Sequence, residues 1–378
     1  MNKILGATTV APAMAGILVL GQPAWAGQVT QTPDPAISAA VKSISAADVR
    51  SDIEKLVSFG TRSTLSAQDP AAISAGRGIG AAREWLKAQF AAYSKDCGGC
   101  LEVKTDEFVQ EPGGRFPNPT TLVNVYAILK GSDPEDAKRI VLVTGHYDSR
   151  NSENLNVTDD APGANDDASG TAVSLASARA LSKLKLRATV IFLTVAGEEQ
   201  GLTGARHFAK VAKQEGWNIE AALDDDIVGG DKSPGQDART VRVFSEGVPV
   251  AADEKRLQLI RSVGAENDSS SRELARYIAE VGDAYSPGVK PLLVFRPDRY
   301  LRGGDHTGFN EQGFAAVRFT EYRENFTRQH QNVRMENGIE YGDLLKFDDF
   351  SYIAQVARLN IATLATLASS PVLRRRLA

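Results

Sequence analysis

Cysteine is almost missing from this chain: its 378 residues include two, Cys97 and Cys100, with two glycines between them. A metal role for this pair needs two further partners, and none stands nearby. In an exported chain the Cys-Gly-Gly-Cys spacing reads instead as a short local disulfide, the glycines permitting the tight turn. An excess of one charge is missing too. Forty-three Lys and Arg face 47 Asp and Glu, a net charge of -4 with the signs mixed along the chain. Nothing here marks a surface for nucleic acid or an anionic membrane, and Arg374-Arg375-Arg376 reads as a solvated tail. There is no internal repeat, and no apolar run beyond the first residues is long enough to span a bilayer. Histidine is scarce, with four in all, which makes the choice of imidazole ligands narrow.

What is present begins with Met1-Asn2-Lys3, an apolar stretch over 4–20, and the small-x-small triplet Ala24-Trp25-Ala26. Residues 1–26 therefore read as a secretory signal peptide, with Pro12 and Pro23 arguing against a permanent anchor. The chain is expected to be exported, periplasmic or secreted. Residues 27–45, rich in Thr, Pro, Ser and Ala, read as a loose lead-in. One domain is expected over 46–378, with 46–120 an N-terminal helical part packed on it; 42% hydrophobic residues suffice for a substantial core. Helical spacing of apolar residues predicts helices over 46–58 and 71–93, and period-two alternation predicts strands over 101–109 and 121–129. The pattern then changes to continuous apolar runs at 140–143, 188–195, 227–228 and 315–317, separated by helical segments, and 344–367 reads as a closing helix. Such runs indicate a sheet buried on both faces, an α/β fold.

The chemistry sits just past those runs. His146 ends an apolar strand in Gly145-His146-Tyr147-Asp148, where Asp148 could fix the imidazole tautomer. Alone, it would read as a surface histidine. Asp166 and Asp167 stand in Gly163-Ala164-Asn165-Asp166-Asp167-Ala168-Ser169-Gly170, opening a helix of small residues, where a carboxylate is also an ordinary cap. Glu198 and Glu199 follow a buried strand between Gly197 and Gly201. Adjacent carboxylates repel unless something positive lies beside them, and neighbours at a strand end can take separate roles, one on a metal and one on a proton. In Asp224-Asp225-Asp226, ahead of Ile227-Val228, Asp226 is expected to be the ligand and the other two to face solvent. For the second imidazole, His207 falls on an amphipathic helix and is expected to pack there. That leaves His306, in Gly304-Asp305-His306, and its rival His330.

Taken together and in this order, these motifs resemble the co-catalytic zinc exopeptidases of the bacterial leucyl aminopeptidase type, which are related to glutamate carboxypeptidase, glutaminyl cyclase and the transferrin receptor ectodomain. The resemblance runs from about residue 121 to the C-terminus. It implies a three-layer fold with a central mixed, mostly parallel sheet flanked by helices on both faces. It implies two zinc ions per chain held by His146, Asp166 as bridge, Glu199, Asp226 and His306, with Glu198 as general base, and a cis peptide between Asp166 and Asp167. The usual Ser-Asp-His is here Gly304-Asp305-His306, which keeps the ligand and alters its loop; His330 stays open as an alternative ligand or substrate-side group, because some relatives place the last histidine in a later motif. Asp148 and Asp167 would support the ligands, and Tyr322 is the candidate for steadying an oxyanion. The expected activity is removal of N-terminal residues from peptides with a free N-terminus. A carboxypeptidase or dipeptidase on the same scaffold is the alternative, kept open by Arg150, Arg302 and Arg323; a glutaminyl cyclase or a non-catalytic binding domain fits the full donor set less well.

Overall fold

Seven strand pairings tie eight strands into one sheet, and their directions explain why its middle is the most apolar part of the chain. The computed structural model describes residues 32–300 and 302–371; the expected signal segment and the terminal arginines lie outside these. In chain order the helices are α1 Pro35–Lys42, α2 Ala46–Val57, α3 Pro70–Ala75, α4 Ile79–Asp96, α5 Ser169–Leu181, α6 Thr203–Gln214, α7 Glu254–Val263, α8 Ser270–Tyr285, α9 His306–Glu311 and α10 Phe350–Ser369. The strands are β1 Leu101–Gln110, β2 Thr120–Leu129, β3 Arg139–His146, β4 Thr189–Val195, β5 Asn218–Asp225, β6 Thr240–Ser245, β7 Lys290–Val294 and β8 Ala316–Glu321, with a small hairpin of β9 Arg334–Glu336 and β10 Ile339–Tyr341.

The order across the sheet is β1-β2-β4-β3-β5-β8-β6-β7. The central strands β4, β3, β5 and β8 run parallel, β6 and β7 run parallel to each other, and the remaining neighbours are antiparallel. Side chains alternate between two cores. Val141, Val143, Val190, Phe192, Leu223, Val317 and Phe319 join one; Leu142, Ile191, Leu193, Val195, Ala222 and Ala316 join the other. Because both faces are covered, these strands are apolar throughout rather than alternating. α1, α2, α5, α8 and α10 pack on the first face, and α6 and α9 on the second.

Close approach of α5 to the sheet depends on its small residues. A Cβ on Gly145 would stand 2.4 Å from the carbonyl carbon of Gly170, and one on Gly170 would stand 1.9 Å from the carbonyl oxygen of Asp225. Both clashes are with backbone, so β3, β5 and the start of α5 meet only because glycine stands there.

The structure departs from the sequence reading at four places. The lead-in is partly α1, whose start is fixed by Asp34 accepting the N–H groups of Ala36 and Ile37. The helix expected over 71–93 is two, broken where Gly76 takes a left-handed φ of 69°. The strand placed at Ile227-Val228 is β5 instead, ending at Asp225, and Ile227 itself has a positive φ of 61°. Strands β6 and β7 extend the sheet beyond the expected runs. Cys97 and Cys100 are disulfide-bonded.

Candidate metal centre

Parallel strands end on one edge of the sheet, and their last residues converge there. His146 closes β3, Glu198 and Glu199 follow β4, and Asp226 follows β5. Asp166 comes from the turn that feeds α5, across a cis peptide to Asp167. His330 arrives from the long loop between β8 and β9, at a left-handed φ of 55°.

Two triads form and share one carboxylate. His146 Nε2 lies 3.2 Å from Asp166 Oδ1 and 3.8 Å from Asp226 Oδ1. His330 Nε2 lies 2.9 Å from Asp166 Oδ2 and 3.1 Å from Glu199 Oε2. Within each triad the donor atoms all stand within 4.8 Å of one another. Asp166 thus presents one oxygen to each group. Four of the five donors, Asp166, Glu199, Asp226 and His330, line a cavity of about 270 Å³ together with Glu198.

The supports around the donors are hydrogen-bonded. His146 Nδ1 faces the carbonyl oxygen of Asp148 at 3.1 Å, which leaves Nε2 turned to the triad. The Asp148 carboxylate accepts the hydroxyl of Thr64 and the backbone N–H groups of Glu198 and Glu199, so it fixes β3 and the glutamate turn together. Asp167 accepts the N–H groups of His146 and Gly170. Asp343 accepts those of Asn165 and Asp166, and burial raises its carboxyl to about 7. Arg62, with no exposed surface, donates to the carbonyls of Leu56, Tyr147, Pro162 and Gly163 and so clamps the two loops that carry His146 and Asp166.

Electrostatics shows what the group lacks. Three buried carboxylates and two imidazoles share one small volume. Burial opposes charge on His330, yet Glu199 and Asp166 carry it to about 10. Burial lifts the carboxyl of Glu198 well above the usual range, with Asp226, Glu199 and Asp166 adding to it and His146 opposing. His146 Nε2 and Glu199 Oε1 are buried without a hydrogen-bond partner, an arrangement that otherwise costs about 1–3 kcal/mol per atom. Imidazole nitrogens and carboxylate oxygens in this number are the donors zinc takes, and a cation between them would satisfy the unmatched atoms. The residues therefore fit the ions expected of them.

His306 is not brought to this group. It is fully buried, its Nδ1 3.1 Å from Asp224 Oδ2 and its Nε2 2.8 Å from the carbonyl oxygen of Pro297, so both ring nitrogens are engaged elsewhere. The expected solvent-facing pair Asp224 and Asp225 is also buried. Asp224 holds His306, and Asp225 accepts from Asn360 Nδ2. Both faces of β5 are covered, so alternation gives neither of them a route to water. Tyr322, 42% exposed, does not line the cavity. His207 rests on α6, its ring stacked 3.7 Å from that of Phe108 and its Nε2 3.2 Å from Asp106.

Sequence reasoning missed Arg318. Entirely buried in β8, it reaches Asp226 Oδ1 at 2.9 Å and Asp298 Oδ2 at 3.2 Å. Burial pushes the Asp226 carboxyl up, but Arg318 and His146 together outweigh it and hold the carboxyl below its ordinary value. A single arginine inside an apolar strand was the available signal, since such a charge needs a partner.

With this geometry in place, comparison with known proteins identifies the chain. The family model described as peptidase family M28 matches residues 124–349. The chain belongs to peptidase family M28. A probable zinc metalloprotease of Leptosphaeria maculans is 46% identical over 358 residues, covering 92% of this chain and 80% of the relative. A second, from Pyrenophora teres f. teres, is 45% identical over 352 residues, covering 92% of this chain and 71% of its own length. The fold is similar to that of the LapA aminopeptidase of Legionella pneumophila, at a TM-score of 0.62 and 19% identity over 88% of this chain and 75% of that one. It is also similar to a glutaminyl cyclase of Bacteroides thetaiotaomicron, at a TM-score of 0.59 and 13% identity over 85% of this chain and 98% of that one. The matched span covers every donor of both triads.

Proposed function

We propose that this M28 chain is a zinc-dependent exopeptidase that removes N-terminal residues from peptides. The observation that carries the reading is the pair of triads joined by Asp166, with Glu198 on the wall of the same small cavity. His146, Asp166 and Asp226 would hold one ion, and Asp166, Glu199 and His330 the other. Zinc bound there supplies Lewis acidity toward a carbonyl oxygen and makes water acidic enough to lose a proton near neutral pH. Glu198 accepts that proton as water attacks the peptide carbonyl, then returns it to the leaving amine nitrogen. Its raised affinity for a proton suits both halves of the exchange. Asp148 keeps the backbone of Glu198 and Glu199 in place, and Arg62 and Asp343 keep His146 and Asp166 from drifting apart. A cavity of about 270 Å³ suits a terminal residue rather than the middle of a chain. Relatives described as probable zinc metalloproteases support the metal, and the fold shared with aminopeptidases supports the class. Export belongs to the same reading, supported by the apolar segment over 4–20 and by the Cys97–Cys100 disulfide, a bond of oxidising compartments.

The experiment is a panel of peptides with free or blocked ends, assayed with zinc and after chelation. Cleavage that needs zinc and stops on N-blocking alone is the expected result; cleavage that stops on C-blocking alone would make the enzyme a carboxypeptidase. Glu198→Gln is expected to lower kcat by about 100-fold or more while zinc content stays unchanged. Wild-type turnover in that variant would remove Glu198 as the base.

A further inference from the structure

The wall of the cavity carries an unusual amount of positive charge. Arg115, Arg150, Arg299 and Arg302 line it beside Asp166, Glu198, Glu199 and Asp226. They come from three separate segments: the connection between β1 and β2, the loop after β3, and the loop before α9. Only Arg299 is neutralised, by Asp298 and Glu324. Arg115 donates to the backbone carbonyl of Glu199, and Arg150 to those of Asn151 and Ser152. Among the described residues no carboxylate stands within ion-pair distance of Arg115, Arg150 or Arg302. The acidic groups of the cavity do not balance them, since two divalent cations at the triads would already offset Asp166, Glu199, Asp226 and Glu198. Three guanidinium groups, two of them on exposed residues and Arg150 half-buried, are then left as surplus positive charge around the mouth of a small cavity, where an anion is favoured.

We infer that the substrate brings a carboxylate into this cavity, beside the scissile bond and against Arg150 and Arg302, with Arg115 on the glutamate side. This rests on the metallopeptidase reading above and adds to it the substrate class: acidic peptides or dipeptides. Planar guanidinium groups pair with a carboxylate through two parallel hydrogen bonds, which gives direction as well as charge. The carboxylate has two possible sources, the side chain of a terminal Asp or Glu and the α-carboxylate of a dipeptide.

Two substrate pairs separate these sources. The first compares glutamyl with glutaminyl aminomethylcoumarin, which differ only in the side chain and have no α-carboxylate. The second compares Ala-Ala with Ala-Ala amide. In one pair the carboxylate-bearing member is expected to be favoured by about tenfold or more in kcat/KM, and Arg150→Gln combined with Arg302→Gln is expected to shrink that ratio to about threefold or less. Arg323→Gln is the control, since Arg323 reaches the carbonyl of Pro234 and does not line the cavity; it should leave the ratio unchanged. Binding of glutarate, measured by calorimetry on the zinc-loaded protein, reads the site without turnover and should weaken by about tenfold in the double variant. Equal handling of both members of each pair, or a preference that survives the double variant, overturns the inference even if cleavage itself is robust. Glutarate binding that depends on the arginines in a protein that cleaves nothing would uphold the anion site while overturning the peptidase reading.

Discussion

Replacing Arg318 by methionine keeps the volume of a buried side chain and removes the only guanidinium or ammonium group that, among the described residues, pairs with Asp226. Asp298 retains Arg299 at 3.0 Å and His306 at 3.6 Å, whereas Asp226 keeps only His146, at 3.8 Å. The buried Asp226 is then left with His146 as its one remaining counter-charge among the described residues, a change that costs up to about 3–5 kcal/mol. An independent estimate comes from letting the carboxyl protonate instead. Holding a group of ordinary pKa near 4 neutral at pH 7 costs about 4 kcal/mol, and at pH 5 under about 2 kcal/mol. The two routes agree near pH 7 and fix the sign of the pH dependence. In the wild type Asp226 is held below its ordinary value, so its contribution is present above about pH 4 and lost only in stronger acid. In the variant its carboxyl is raised, so stability is lost as pH rises, and the gap between the proteins widens from pH 5 to pH 7. Urea unfolding of chelator-treated protein, followed by tryptophan fluorescence, measures this directly. A gap under about 1 kcal/mol at pH 7, or one that does not change with pH, would refute the assignment of Arg318 as the counter-charge of Asp226. Adding zinc should narrow the gap, because a cation at Asp226 replaces the missing guanidinium.

Two further outcomes follow from other parts of the molecule. Asp52, 6% exposed in α2, has Arg179 no nearer than 3.8 Å, and burial raises its carboxyl to about 7. Its neutral form therefore stabilises the fold below about pH 4, and that contribution, up to about 4 kcal/mol, is lost as pH rises to 7. Asp52→Asn should flatten the fall in stability between pH 5 and pH 8 measured by denaturant titration, and a slope equal to the wild type's would contradict the raised value. Gly170→Ala should cost about 1–3 kcal/mol or more and lower the melting temperature, because its Cβ meets the backbone oxygen of Asp225 at 1.9 Å. Unchanged melting would mean that α5 does not approach β5 as closely as described.

Much of the site could be read before any coordinates, and the reason is topological. Parallel strands with both faces covered must be apolar, so the polar residues at their ends stand out; His146, Glu198 and Glu199 are found that way, whereas Asp226 was picked out as preceding an apolar run that is not a strand. Asp166 was reachable because its turn opens a helix of small residues. The second histidine was not. Neither His306, at the start of α9, nor His330 has an apolar run before it, so strand-end logic cannot rank them, and the resemblance favoured His306, which the structure does not bring to the other donors. A helical reading of His306 to Phe309 carried the missing signal, since a short turn ending on the buried Phe309 takes His306 inward with it. The acidic run failed for a related reason. A charge run normally marks a solvated face, but on a strand covered on both sides Asp224 and Asp225 have only buried directions to point in. Arg115 and Arg299 could not be placed at all, because the cavity wall is assembled from loops whose ends are set by the sheet and whose courses are not.

The central claim is that Asp166 joins two cation sites, one completed by His146 and Asp226 and the other by Glu199 and His330. Elemental analysis of protein purified without chelator tests it most directly, comparing wild type with His330→Gln and His306→Gln. About two zinc ions per chain are expected for the wild type and for His306→Gln, and about one for His330→Gln. Two ions retained in His330→Gln, with one lost in His306→Gln, would contradict it.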